Sequence, residues 1–177
     1  MADSEELNRI IEACRQGDAE AFAELVDIYS QRCYGYFYSM VGRSDVSDDL
    51  LSRLFMRLVE KISTFKGGNF ESWLFKVASN IFHDYLRTKQ KETKVIEART
   101  EQIAGISAQP KQSDSEISAR LQRQLLRLDS DTRELIMLRY YSQMSFKELA
   151  GLRSEPIGTV LSRVHRGLNS LRQAMEK

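Results

Sequence analysis

The 177 residues, 42% hydrophobic and 29% charged, have the composition of a globular protein of one domain or two small ones. Lys and Arg number 26 against 25 Asp and Glu, and this net charge of +1 excludes a wholly basic, histone-like binder and confines nucleic-acid affinity to local patches. Two scattered cysteines, two histidines, an acidic N-terminus and the lack of a long apolar run predict a cytoplasmic protein with no metal, no cofactor and no membrane insertion.

From Leu7 the apolar residues Ile10, Ile11 and Cys14 recur at helical spacing. After a break at Gln16-Gly17-Asp18 a second helix carries Ala21, Phe22, Leu25, Val26, Ile28 and Tyr29. An aromatic-rich continuation from Tyr34 to Val41 stops at Gly42, and aromatics at such spacing read as core. Buried, reduced thiols at Cys14 and Cys33 are favoured over a disulfide between them.

A third helix follows Ser44-Asp45, with Leu50, Leu51, Leu54, Phe55, Leu58, Val59 and Ile62 expected inward. Asp48, Asp49, Arg53, Arg57, Glu60 and Lys61 lie outward, acid early and base late as the helix dipole favours. The break Phe65-Lys66-Gly67-Gly68-Asn69-Phe70 permits a sharp loop whose aromatics and lysine could hold an unstacked base. A helix from about Glu71 then carries Trp73, Leu74, Val77, Ala78, Ile81 and Leu86, interleaved with Lys76, Asn80, Asp84 and Arg87.

Between Glu92 and Ser115 periodicity fades into a polar stretch with Gly105 and Pro110, a flexible linker. Helix resumes at Glu116. Asp129-Ser130-Asp131 is capping chemistry, with Asp131 and Glu134 able to close a box, before a helix carrying Leu135, Ile136, Leu138 and Tyr141. Ser145 and Glu148 form a capping box for a short helix starting at Phe146, and Pro156 opens another. On that last helix Ile157, Val160, Leu161, Val164, Leu168, Leu171 and Met175 make an apolar stripe. Thr159, Ser162, Arg163, Arg166, Asn169 and Gln173 lie opposite, with no acid between Glu155 and Glu176. This is helix-turn-helix architecture with a face suited to phosphate.

The fold class is therefore all-α, in two small helical domains: 1–91 and 116–177, joined by the linker 92–115. No nucleophile with its base, no metal cluster and no phosphate-cradling loop is legible, and Gly67-Gly68 lacks the lysine and hydroxyl of a nucleotide loop, so a binding protein and not an enzyme is expected.

Two segments together resemble the extracytoplasmic function, or group IV, sigma factors of bacterial RNA polymerase. VSDDLLSRLFMRLVEKISTFKGGNFESWLFKVASNIFHDYLRTKQK, from Val46 to Lys91, is similar to the family's region 2; Leu128 to Leu171 is similar to its region 4. The resemblance implies an alternative sigma factor that binds core RNA polymerase, through its clamp and flap regions, and promoter DNA. It also implies an anti-sigma factor as a further partner. By the same resemblance, clamp docking falls on Asp48, Asp49, Leu50, Phe55 and Arg57. The melted minus-10 element falls to Lys66, Asn69, Phe70, Trp73, Lys76, Asn80 and Arg87, and the minus-35 duplex to Thr159, Ser162, Arg163, His165 and Arg166.

The chain departs from the family pattern at several positions. Ser52 and Arg53 stand where glutamine and an acid are common on the polymerase-facing helix. Arg153, Ser154 and Glu155 replace the usual leucine-glycine-apolar turn, and Leu161 replaces a frequent base. A missing turn glycine costs about 1 kcal/mol if the position needs positive φ. Two alternatives remain open at this point: a helix-turn-helix regulator that binds duplex DNA without polymerase docking, and a sigma-like decoy that has lost docking through Ser52 and Arg53.

Overall fold

The computed structural model describes residues 4–97 and 116–176. Their regular structure is helical: α1 (Ser4–Arg15), α2 (Ala19–Val41), α3 (Ser44–Lys61), a 3-10 turn (Ile62–Thr64), α4 (Phe70–Glu97), α5 (Glu116–Arg127), α6 (Ser130–Tyr141), α7 (Phe146–Arg153) and α8 (Ile157–Glu176). The first residues of the expected linker continue α4 as far as Glu97, and the rest of that stretch lies outside the described residues.

Local chemistry sets the boundaries. Gly17 takes φ +85°, and Asp18 then accepts from the backbone N–H of Glu20 at 2.9 Å, starting α2. Gly42, at φ +69°, ends α2 with its N–H on the Tyr38 carbonyl at 2.8 Å. The Asn69 side chain accepts from Ser72 N–H at 3.0 Å, so α4 begins at Phe70, one residue before the sequence pattern suggests.

In the N-terminal unit Leu25, Tyr29, Cys33, Tyr36 and Phe37 of α2 are buried together with Leu50, Leu54 and Leu58 of α3 and Leu74, Phe75, Ala78 and Phe82 of α4. Each leucine or phenylalanine among them contributes about 1.5–3 kcal/mol by leaving water, so this cluster outweighs any surface ion pair in the unit. Cys14 and Cys33 are free and buried, and burial pushes the Cys33 thiol up to about 12. The α3 stripe is narrower than the pattern suggests: Leu50, Leu54 and Leu58 turn inward at i, i+4 spacing, but Val59, one residue further round, is 59% exposed.

In the C-terminal unit Leu125, Leu135, Leu138, Leu149, Val160, Val164 and Leu171 form the core. Gly167 lets α8 cross close over α6, since a Cβ there would stand 2.5 Å from Thr132 Cγ2 and 2.8 Å from Ile136 Cδ1. Ile157 and Leu168, expected in the stripe, are about half exposed. The expected Asp131–Glu134 box does not form: Asp129 caps α6 by accepting from Thr132 N–H at 2.8 Å, and Glu134 is drawn elsewhere.

The two units pack against each other through α2, which meets both α5 and α6, and their buried side chains form one continuous cluster. At its centre is the Glu134 carboxylate, 1% exposed. Oε1 accepts from Ser79 Oγ at 2.6 Å and Tyr36 Oη at 3.3 Å; Oε2 accepts from His83 Nε2 and Arg153 Nη1, both at 3.0 Å. Two donors per oxygen satisfy a group whose burial would otherwise be prohibitive.

Candidate nucleic-acid interface

The helix-turn-helix is assembled from α7 and α8 over α6. Ser145 and Glu148 form the expected capping box, with Glu148 N–H on Ser145 Oγ at 3.2 Å and Ser145 N–H on Glu148 Oε2 at 2.8 Å. The turn residue Ser154 takes φ +54°, ψ +39°, the left-handed conformation that favours glycine, so this departure does carry backbone strain. The Pro156 carbonyl accepts from Thr159 N–H at 3.0 Å and Val160 N–H at 3.2 Å, which starts α8 at Ile157.

On α8 the side chains of Thr159, Ser162, His165 and Arg166 are exposed on one side, as a groove-reading helix requires. Leu161, 42% exposed, borders this face. Arg163 is partly buried and its guanidinium meets Glu155 Oε1 at 3.2 Å, so of the five expected contacts it alone must leave an acid before reaching DNA. Arg153 faces inward, bonded to Glu134 and Asp131, and is a structural residue of this unit.

In the N-terminal unit Gly67 and Gly68 take φ +95° and +91°, so both glycines are needed for backbone shape; nothing lies within 4 Å of a Cβ built on either. Lys66 and Asn69 are exposed on this loop, and Lys76, Asn80 and Arg87 are exposed along α4. Phe65, Phe70 and Trp73 form an aromatic cluster with ring centroids 5.3–5.6 Å apart. Phe70 is buried against Tyr29 and packs with the core. Trp73 is half-buried on that support.

On α3 Asp48, Asp49 and Arg57 are exposed and Phe55 is half-buried. Leu50 is fully buried beneath this surface. Arg53 pairs with Asp49 at 2.9 Å, so the acid-to-base departure is neutralised within its own helix. Sequence reasoning missed Met56, 61% exposed, which with Val59 makes an apolar patch amid these charges. No helix among the described residues is long and apolar enough to cross a membrane.

Comparison with known proteins matches both units. The family model described as Sigma-70 region 2 matches residues 25–92, and that described as Sigma-70, region 4 matches 118–171. The chain is 28% identical over 180 residues to the ECF RNA polymerase sigma factor SigW of Bacillus subtilis, covering 96% of each chain. It is 30% identical over 166 residues to the RNA polymerase sigma factor CarQ of Myxococcus xanthus, covering 93% of this chain and 95% of that one. The solved structure of the sigma factor RpoE in complex with the anti-sigma factor NepR from Bartonella quintana superposes with a TM-score of 0.74 at 25% identity, over 89% of this chain and 98% of that one.

Proposed function

The chain belongs to the sigma-70 family, in its extracytoplasmic function group, and from that premise we propose how its residues divide the work of an alternative sigma factor that directs transcription initiation. Residues 1–91 dock on the polymerase clamp and hold the melted minus-10 element, residues 116–177 bind the minus-35 duplex, and 92–115 connect them. Tethering two modest DNA contacts makes them jointly selective. A regulator that binds duplex DNA alone would leave the match to region 2 without a role.

The observation that carries this reading is the exposed face of α8, where Thr159, Ser162, His165 and Arg166 stand without an acid among them. Arginine suits a guanine edge or a phosphate, and the hydroxyls suit either. On the other unit a flipped base would stand in the glycine loop against Trp73, with Asn80 and Asn69 supplying hydrogen bonds and Lys66, Lys76 and Arg87 neutralising phosphates. Phe70 supports Trp73 from behind. The clamp contact uses Asp48, Asp49, Phe55 and Arg57, with Met56 and Val59 as its apolar anchors and Leu50 as internal support.

The chain works beside polymerase in the cytoplasm and catalyses nothing by itself. The NepR complex of the RpoE relative supports an anti-sigma partner of the same kind. Permanganate footprinting of the holoenzyme on a promoter tests the division of labour. Asn80→Ala is expected to abolish thymine reactivity while duplex protection persists, and Arg166→Ala to weaken both; loss of duplex protection in Asn80→Ala alone would refute it.

A further inference from the structure

Arg163 belongs to the DNA face by register but is held off it by contact. At 3.6 residues per turn it lies within about 60° of both Thr159 and Arg166 around α8, inside the arc that a groove would meet. Its side chain nevertheless points back to the turn before the helix. There Nη1 donates to Glu155 Oε1 at 3.2 Å, and only 26% of the side chain is exposed. Arg166 is exposed and has no carboxylate partner among the described residues; its Nε donates to the Ser162 carbonyl of its own helix at 3.3 Å. Asp129 and Asp131, at the start of α6, border the same cleft as both arginines without bonding either. Two arginines on one face thus differ by the acid that the turn sets beside the first.

The pair resists exchange for DNA. Glu155 is itself 25% exposed, and its second oxygen is buried with no hydrogen-bond partner among the described residues. Drawing the guanidinium away to a phosphate or a base therefore leaves a partly desolvated carboxylate without a side-chain donor, a cost that a fully exposed pair does not impose. Glu155 also sits on a fixed turn. Its N–H donates to the Ala150 carbonyl at 3.1 Å, closing the end of α7 after the left-handed Ser154, and Pro156 locks the backbone that follows.

We propose that Glu155 is a specificity-determining residue that withholds Arg163 from the minus-35 duplex and leaves Arg166 as the arginine that reads it. The proposal rests on the promoter-binding reading above. Arginine is the side chain best fitted to a guanine edge, so its removal from the face relaxes selection at one base pair. The acid stands where an apolar turn residue is common in the family, and through it this chain reads fewer base pairs from the same helix.

Holoenzyme made from the full chain and core polymerase, titrated onto a promoter fragment and its single-base-pair variants across the minus-35 element, tests it. Arg163→Ala alone is expected to change affinity by less than about twofold and to leave the base-pair profile as it was. Glu155→Val is expected to raise affinity about tenfold and to add one base pair at which substitution is penalised. Glu155→Gln keeps the side-chain volume and is expected to move the same way by about threefold. Combining Arg163→Ala with Glu155→Val is expected to restore the wild-type affinity and profile, a result that unfolding would not give. A gain that persists in the double variant comes from the acid's own charge and overturns the proposal. A larger loss from Arg163→Ala alone, or no gain from either Glu155 variant, also overturns it. A wild-type profile indifferent to every minus-35 base pair, with Arg166→Ala neutral, overturns instead the reading on which it rests.

Discussion

Replacing Glu134 by glutamine keeps the side-chain volume and removes the charge from the best-satisfied buried carboxylate among the described residues. The amide retains one oxygen for Ser79 and Tyr36 but turns its NH2 toward His83 and Arg153, so donors face donors. Breaking one partner of a buried charge pair costs about 3–5 kcal/mol, and the retained oxygen returns about 1 kcal/mol. A net loss of about 2–4 kcal/mol is expected in urea unfolding followed by helical circular dichroism. A pH series adds a second signature. His83 is raised above its ordinary value, first by its hydrogen bond to Glu134, so its contribution is complete below about pH 6.5 and is lost as pH rises through the raised pKa. Burial pushes the Glu134 carboxyl up, but the bonds from His83 and Ser79 and the charges of His83 and Arg153 bring it below the ordinary carboxylate value. Its contribution is therefore present above that ordinary value and lost as pH falls through the lowered one. Wild type should be most stable between the two pKa values and weaken on the alkaline side, and Glu134→Gln should lack that alkaline decline. A loss smaller than about 0.5 kcal/mol, or the same decline in both proteins, would refute the reasoning.

Three further outcomes follow from particular residues. Ser154→Gly relieves the left-handed turn between α7 and α8 at some cost in unfolded-chain entropy, and should stabilise the chain by about 0.5–1 kcal/mol, read as a higher urea midpoint. Leu161→Lys restores a cation beside the exposed face of α8, and should steepen the salt dependence of holoenzyme binding to duplex DNA by about one unit of log–log slope; an unchanged slope would remove Leu161 from the groove. Met56→Asp puts charge into the apolar patch on α3 and should weaken core polymerase binding about tenfold in equilibrium titration while leaving helicity intact.

What the sequence disclosed was what local rules govern. Asp18 and the Ser145–Glu148 box start their helices, and Gly42 stops its own, because each acts on backbone groups a few residues away. The helix order and the helix-turn-helix followed from these signals and from apolar spacing. The misreadings have non-local causes. Glu134 has the spacing of a capping acid, but its partners Ser79 and Tyr36 lie 55 and 98 residues earlier in the chain, and no local pattern announces them. The packing of Phe70 on Tyr29, 41 residues earlier in the chain, was likewise invisible in the local pattern of the glycine-rich loop. Val59 stands one residue round from buried Leu58, outside the face of α3 that its neighbours cover, and Met56 lies exposed on the same helix. Gly35 carried a signal that went unused: a glycine inside a helix otherwise rich in aromatics marks where another element approaches closely.

The central claim is that this chain redirects RNA polymerase to a promoter set. Run-off transcription of fragmented genomic DNA from the source bacterium, with its core polymerase in the presence and absence of the protein and sequencing of the transcript starts, tests it most directly. The account predicts new starts that share two upstream motifs at fixed spacing and disappear when the protein is omitted. An unchanged set of starts, with no association between the protein and core polymerase, would contradict it.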